Sequence, residues 1–414
     1  MRPILLTSLI VVLSCCTRVE SMTEMTDRVF ALAEKQYTAM ESHLSPNRMP
    51  VTYEDGLFKD GKLNGWTSGF FPGTLWLVYE YTGSPEVRSM AERQTSKLDS
   101  LVGMKTHHDI GFQVGCSFGN AYRLTGDPSA LETMKAAAEK LSLRFTPVVG
   151  CTRSWDPGKR WNYPVIIDNM MNLELLAETS RLTGDSRFVE IARTHANTTM
   201  RNHFRPDGSS YHVVSYDEET GAVLKKQTSQ GFCDESAWSR GQAWGLYGYT
   251  MMFRETGDGA YLDQAKKIAA FILPLLPKDG VPEWDFNAPG TPHAMGMDSK
   301  GAPKPSVYIW HEGDPVQRDA SAGAIIASAL IELSTFTPGK EGKLYVRTAE
   351  KILRTLASPE YLAREGENGN FLLMHGVTNL HGWSGVDIPL TYADYYFLEA
   401  LLRYRNLGKN RFRP

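Results

Sequence analysis

Two kinds of apolar patterning alternate along this chain. One kind is apolar nearly all round and mixes small residues with aromatics. It occupies 65–83 (GWTSGFFPGTLWLVYEYTG), 109–126, 168–184, 238–257, 318–336 and 390–404. The other kind keeps its charges to one side and occupies 25–40, 84–102, 129–145, 186–204, 259–276 and 341–357. A helix that is apolar all round is buried on every side, whereas one with a single charged face lies at the surface. Thr-Gly follows the first kind at 82–83, 125–126, 183–184 and 256–257. There Gly suits the left-handed residue that ends a helix. Six buried segments alternating with six amphipathic ones predict an all-α protein, an (α/α)6 barrel. Its inner helices would line a cavity and its outer helices would shield them. An open helical solenoid has the same alternation. Closure is favoured because the inner segments are rich in Trp, Tyr and Gly, which suit a lined pocket.

Other stretches break the helical period. Residues 208–231 alternate and carry Glu-Thr-Gly, which predicts a hairpin. Residues 281–314 are rich in Pro and Gly, and a loop of that length inside a compact domain is often functional. No linker divides the chain, so 17–414 is expected to be a single domain. Residues 1–16 stand apart, with an early Arg2, an apolar run from Ile4 to Leu13, and then Ser-Cys-Cys. The run is too short to span a bilayer and fits a secretory signal. Leu-Ser-Cys-Cys resembles a bacterial lipoprotein cleavage box, which would leave Cys15 or Cys16 for lipid attachment. An ordinary signal with incidental cysteines is the other reading. The expectation is an exported bacterial protein, periplasmic or membrane-anchored, that touches the membrane only through an N-terminal lipid.

Composition narrows the function classes. The 414 residues are 42% hydrophobic and 22% charged, ordinary for a globular protein. A net charge of -3 supplies no basic field for nucleic acid. Beyond the leader the cysteines are Cys116, Cys151 and Cys233, spaced for neither a disulfide framework nor a Cys-x-x-Cys metal site. They are expected to be buried as small apolar residues.

The candidate chemistry begins with two aspartates. Asp168 follows an apolar strip and opens an inner helix, and Asp109 does the same one helix earlier. Either residue, or Asn169 beside Asp168, would serve as a helix cap. Two carboxylates at inner-helix starts should also reach one end of the barrel, which suggests acid/base work on a sugar. The second candidate is SQGFCDESAWSRGQAWGLYGY, 229–249. Arg240 and Trp244 share a helix face behind Trp238. Trp rings stack on pyranose faces and Arg forks onto carboxylates. A helix of core tryptophans with a snorkelling Arg is the alternative. His107, His108, His212, Gln230, His311 and Asp319 are further polar candidates. His212 stands out because the hairpin places it near Gln230. The HEGD of 311–314 has no second His at zinc-binding spacing.

HHDIGFQ (107–113), IIDNMMNLELL (166–176) and WSRGQAWGLYGY (238–249) together resemble glycoside hydrolase family 88, the unsaturated glucuronyl hydrolases. The resemblance runs over nearly the whole chain after the leader. It implies an (α/α)6 barrel with no metal or organic cofactor. Its implied substrates are lyase-generated oligosaccharides, here from glycosaminoglycans, with a 4,5-unsaturated uronic acid at the non-reducing end. By motif, Asp168 is the catalytic acid/base and Asp109 a second essential carboxylate near the sugar hydroxyls. His212, Gln230, Trp238, Arg240, Trp244 and Trp66 match substrate-site positions. An acid at Asp168 would need a raised pKa, from burial or from Asp109. Family 105, the unsaturated rhamnogalacturonyl hydrolases, is the nearest alternative. A non-catalytic, glycan-binding surface lipoprotein is another.

Overall fold

The computed structural model describes residues 19–407 apart from 106, 296–310, 312 and 382–383. The N-terminal segment expected to be a secretory signal, with Cys15 and Cys16, much of the late Pro- and Gly-rich segment, and Glu312 of HEGD lie outside the described residues. Among those described, twelve helices follow in order when 110–125 is taken as one. They are α1 (Met22–Glu41), α2 (Phe70–Thr82), α3 (Pro85–Ser96), α4 (110–125), α5 (Pro128–Ser142) and α6 (Asn169–Thr183). Then come α7 (Ser186–His203), α8 (Ser239–Thr256), α9 (Gly259–Leu275), α10 (Ala320–Phe336), α11 (Gly339–Leu356) and α12 (Thr391–Arg405). Helix α4 is interrupted by a π turn at Gly115–Gly119. Among the described residues no helix is long and apolar enough to cross a membrane.

The even-numbered helices form the inner ring. Each packs on the next, and α12 closes on α2. That closure makes the fold an (α/α)6 barrel and excludes an open solenoid. The Thr-Gly repeats mark the hand-over between rings. Gly83, Gly126, Gly184 and Gly257 all take left-handed φ values of 69–77° and receive the last turn of an inner helix. The next residue, Ser84, Asp127, Asp185 or Asp258, then caps the following outer helix with its side chain. One short motif thus ends a buried helix and starts a surface one. Cys116, Cys151 and Cys233 are buried and unpaired.

Strands sit in the loops at one end. They pair as β1 (Arg48–Glu54) with β2 (Leu57–Lys62), and β3 (Phe145–Thr146) with β4 (Cys151–Thr152). A three-stranded sheet orders β5 (Tyr163–Ile166), β6 (Val213–Tyr216) and β7 (Val223–Gln227), and β8 (Gly376–Asn379) pairs with β9 (Ser384–Ile388). The hairpin expected in 208–231 is β6–β7. The β1–β2 hairpin was not expected from the sequence, although its turn, Asp55-Gly56 with φ values of 54° and 76°, carries a hairpin signal. Asp-Gly favours that two-residue loop.

Candidate active site

Strand pairing brings the first two site residues together. β5 runs antiparallel to β6, with Ile166 opposite Val213, and the Ile167 N–H donates to the His212 carbonyl at 3.0 Å. Asp168 is the next residue, and its Oδ2 lies 3.7 Å from His212 Nε2. His212 Nδ1 accepts from the Ser229 and Gln230 backbone N–H groups at 3.1 and 3.2 Å. With Nδ1 committed as an acceptor, the ring proton sits on Nε2 and faces Asp168. Burial holds His212 well below its ordinary pKa, and Arg240 adds to the effect.

Asp109 arrives through the close approach of α4 and α6. A Cβ at Gly111 would stand 2.6 Å from Asn172 Cα, so only Gly fits there. Across this contact Asn172 Oδ1 accepts the Phe112 N–H at 2.8 Å. One inner helix therefore caps the next, and Asp109 makes no side-chain cap bond. Asp168 makes none either; the first turn of α6 closes on the Ile167 and Asp168 carbonyls at 3.1 and 3.0 Å. The sequence offered Asn169 as a substitute cap, but its side chain turns away to His108, Thr152 and Ser154. Both aspartates are thus released from capping. We expect Gly111→Ala to cost about 1–3 kcal/mol of stability through overpacking. Because α4 must shift, we expect it also to lower kcat/KM more than tenfold; chemical denaturation and steady-state rates measure the two effects.

The two carboxyl groups sit in different fields. Asp168 is pushed up to about 7, chiefly by burial; Asp109 adds to the rise and Arg240 opposes it. Its Oδ2 is buried without a hydrogen-bond partner. Asp109 Oδ2 lies 2.8 Å from His107 Nδ1 and 3.3 Å from His108 Nε2. Burial acts to raise Asp109, but His108 and the His107 hydrogen bond outweigh it and hold the group below its usual range. Burial lowers His108 to about 4. One carboxyl poised near neutrality beside a second held in an imidazole cluster is the arrangement expected of an acid and its partner.

Helix α8 supplies the remaining wall. Arg240 is buried, and its fork is already engaged in this ligand-free structure. It binds Asp319 at 2.8 Å, the Val377 and Thr378 carbonyls, and Gln230 Oε1 at 3.3 Å. Its guanidinium also lies over the Trp238 and Tyr392 rings. Trp238 packs its ring on His212 at 4.4 Å. Trp244 is fully buried against Phe112 and Tyr396, so its ring is core and not a sugar platform. Its indole Nε1 is buried without a hydrogen-bond partner and lies near Asp168. Trp66 is half-buried beside Tyr392, 4.9 Å away, and keeps open ring surface. His311 pairs with Asp314 on an exposed loop. Among the described residues no group of three or more His, Cys, Asp or Glu is placed to hold a metal ion.

The sequence matches the model of Glycosyl Hydrolase Family 88 over residues 36–277, more than half of its length. The chain belongs to that family. It is 43% identical over 346 residues to an unsaturated glucuronyl hydrolase of Formosa agariphila, spanning 83% of this chain and 80% of that one. A crystal structure of an unsaturated glucuronyl hydrolase specific for heparin superimposes with a TM-score of 0.85 at 45% identity, covering 93% of this chain and 98% of the other. An Asp-to-Asn mutant of the Streptococcus agalactiae enzyme, complexed with dGlcA-GalNAc6S, superimposes at 0.76 and 29% identity, covering 94% and 93%.

This family 88 glycoside hydrolase has a concavity of about 490 Å³ inside its ring of inner helices. Its lining runs from Gly111 and Phe112 through Glu174 to Glu178, Arg254, Glu332, Glu399 and Arg403. Arg254 binds Glu174, and binds Glu255 and Glu332 at 2.8 Å each; Arg403 binds Glu332 at 2.8 Å. Burial, with Glu174 and Glu255, lifts Glu178 to about 7, but Glu178 faces Arg181 at 3.5 Å. The carboxylates here are matched by arginines, as suits helix C-termini. No imidazole joins this lining. Sequence reasoning missed Asn172, Arg240's pairing with Asp319, and the half-buried Trp155 and Trp161, whose rings lie 5.3 Å apart at a tilt of 38°. Two tryptophans six positions apart on a short loop were the signal for that pair.

Proposed function

We propose that this enzyme is an unsaturated glucuronyl hydrolase. It removes the 4,5-unsaturated uronic acid from the non-reducing end of glycosaminoglycan oligosaccharides left by polysaccharide lyases. The observation that carries the mechanism is Asp168, a buried carboxyl lifted to about 7 with an unpartnered oxygen facing His212. The substrate's C4=C5 bond is an enol ether. Asp168 gives its proton to C4, and the positive charge is shared between C5 and the ring oxygen. Water adds at C5 and returns a proton to the Asp168 carboxylate. The resulting hemiketal opens by breaking the bond from C5 to the ring oxygen. C1 is left as a hemiacetal and releases the aglycone as an alcohol. His212, as an Nε2–H donor, is suited to steady the Asp168 anion formed in the first step. Asp109 is assigned to hold the sugar hydroxyls. Gln230, Trp238, Arg240, Trp244 and Trp66 shape the surrounding pocket. Relatives named for heparin and crystallised with dGlcA-GalNAc6S support the glycosaminoglycan class.

The test follows the ultraviolet band of the unsaturated uronate in chondroitin, hyaluronan and heparin disaccharides. Turnover is expected to erase it. Unchanged absorbance across the panel, with loss on pectin-derived fragments, would move the enzyme to the other uronide class. The acid must be protonated, so kcat/KM should be high below pH about 7 and fall as pH rises through that value. A profile flat from pH 5 to 9 would remove Asp168 from the acid role. We further propose that the protein is exported and lipid-anchored through Cys15 or Cys16; replacing both by Ser should release it from the membrane fraction.

A further inference from the structure

Four successive inner helices bring an ionisable side chain to the same end of the barrel. Asp109, Asp168 and Asp319 occupy the cap positions of α4, α6 and α10, and Arg240 is the second residue of α8. Arg240 and Asp168 are neighbours because α6 and α8 meet closely. A Cβ on Gly241 would lie 3.2 Å from Cγ2 of Ile167, and those two residues flank Arg240 and Asp168 in the chain. A buried guanidinium beside a carboxyl favours loss of its proton, and Arg240 does oppose the rise of Asp168. Its charge, however, has another partner. Arg240 Nη1 lies 2.8 Å from Asp319 Oδ2, and neither side chain is more than 2% exposed. Asp319 is fixed in turn through its other oxygen, which accepts the Ser321 N–H at 3.0 Å and the Ser321 hydroxyl. Unlike Asp109 and Asp168, this aspartate does cap its helix. The cap uses one oxygen and leaves the other for Arg240.

We propose that Asp319 is a positioning residue for the acid: anchored by its own cap, it holds Arg240 in a buried ion pair and so keeps that cation from taking the proton away from Asp168. The other contacts of Arg240 hold the guanidinium but cannot cancel its charge. They are the Val377 and Thr378 carbonyls and Gln230 Oε1, all neutral acceptors. A guanidinium without Asp319 would be a buried cation short of a counter-charge, with Asp168 the next carboxyl along the ring. Around Asp168 stand Arg240 and Trp244 from α8, His212 from the start of β6 and Asp109 from the start of α4. Around Arg240 stand Asp319 from α10, Tyr392 from α12 and Asp168 itself. Arg160 acts from farther out, on His212. Among the described residues, Asp319 is the carboxylate in direct contact with Arg240. The same residue therefore starts α10 and sets the field in which the acid works.

This inference rests on Asp168 being the acid, and the two partners of the pair test it with opposite signs. In Asp319→Asn the Arg240 charge is left uncancelled, and the alkaline limb of kcat/KM should move down by about half a pH unit or more. In Arg240→Gln the Asp319 charge is left instead, and the limb should move up by about as much. The double variant should fall between the two singles. A merely structural pair would loosen the same contacts from either side, admit water, relieve burial and move both limbs down. Limbs that move together, or a limb that stays put in Asp319→Asn, overturn the proposal. If Asp319→Asn does not fold, the double variant still reads Asp319: its limb should lie below that of Arg240→Gln, and a limb no lower overturns the proposal. Thermal melts of the full-length protein read the same charge without substrate. Adding Asp168→Asn should raise the melting temperature at pH 8 by less in the Asp319→Asn protein than in wild type, because an Asp168 anion costs less beside an uncancelled cation. The double variant, set against Arg240→Gln, gives the same comparison. An equal or larger rise overturns the proposal. If the wild-type enzyme leaves every unsaturated uronide intact, the functional reading fails, while the melts still decide whether Asp319 governs the charge on Asp168.

Discussion

Replacing Asp168 with Asn is expected to reduce kcat on unsaturated disaccharides by about 10³–10⁴-fold or more, while KM stays within about threefold. General acid–base groups contribute roughly that much, and here one group serves as acid and then as base. Asn retains the size and backbone of Asp, and Asp168 makes no cap bond to lose. The damage should therefore be confined to the proton. Stability supplies an independent check with a defined sign. Burial raises Asp168 to about 7 in the folded protein, so the native state binds this proton more tightly than the unfolded chain. Its favourable contribution is complete below the ordinary carboxylate pKa and is lost as pH rises to about 7. Above that, the folded protein carries a buried anion at a cost. Asp168→Asn removes that cost and should stabilise the protein by ~1–3 kcal/mol at pH 8, with little effect at pH 4. Thermal melts at the two pH values measure the difference. Retained turnover would sink the acid assignment, and an equal change in melting at both pH values would sink the raised pKa.

Arg254→Met is expected to do the reverse: a large loss of stability and little loss of chemistry. Arg254 is mostly buried and joins Glu174, Glu255 and Glu332 at the far end of the barrel. Met keeps the apolar stem but leaves those carboxylates short of a cation. Breaking a buried network from one side costs about 3–5 kcal/mol, and the melting temperature should fall by roughly 5–10 °C. The site lies at the opposite ends of the same inner helices, so kcat/KM of the folded variant at 25 °C should stay within about twofold of wild type. A melting temperature unchanged within error would mean that the arginine network contributes nothing net. A hundredfold fall in kcat/KM would mean that the two ends are coupled through the inner ring.

The helices were readable because burial is written into composition. A segment such as 320–336, with every side apolar or small, has no stable place except the interior. The four Thr-Gly turns likewise announce a left-handed residue and the cap that follows it. The hairpin carrying His212 was visible from its alternation. The short β8 and β9 strands were not, because part of what fixes them is Arg240 holding the Val377 and Thr378 carbonyls from another element.

The site was legible as residue types and not as roles. Asp109 and Asp168 stand where caps stand, and local sequence cannot separate a cap from an acid. Trp244 resembles a sugar platform in sequence, but closure of the ring buries it and leaves its polar edge toward Asp168. Arg240 resembles an open fork for a carboxylate, but Asp319, 79 positions away, already occupies it.

By itself, then, the sequence determined the helix count, the inner and outer rings, the family motifs and the pair of carboxylates. Those follow from periodicity and short motifs, which act within a few residues of one another. The tertiary structure alone decided that Asn172 caps a helix 60 positions earlier, and that Asn169 turns from its own helix to a histidine 61 positions earlier. It also decided which of two aspartates sits near neutrality. Hydrogen-bond partners and desolvation depend on which helices the closing ring presses together, and no local pattern records that.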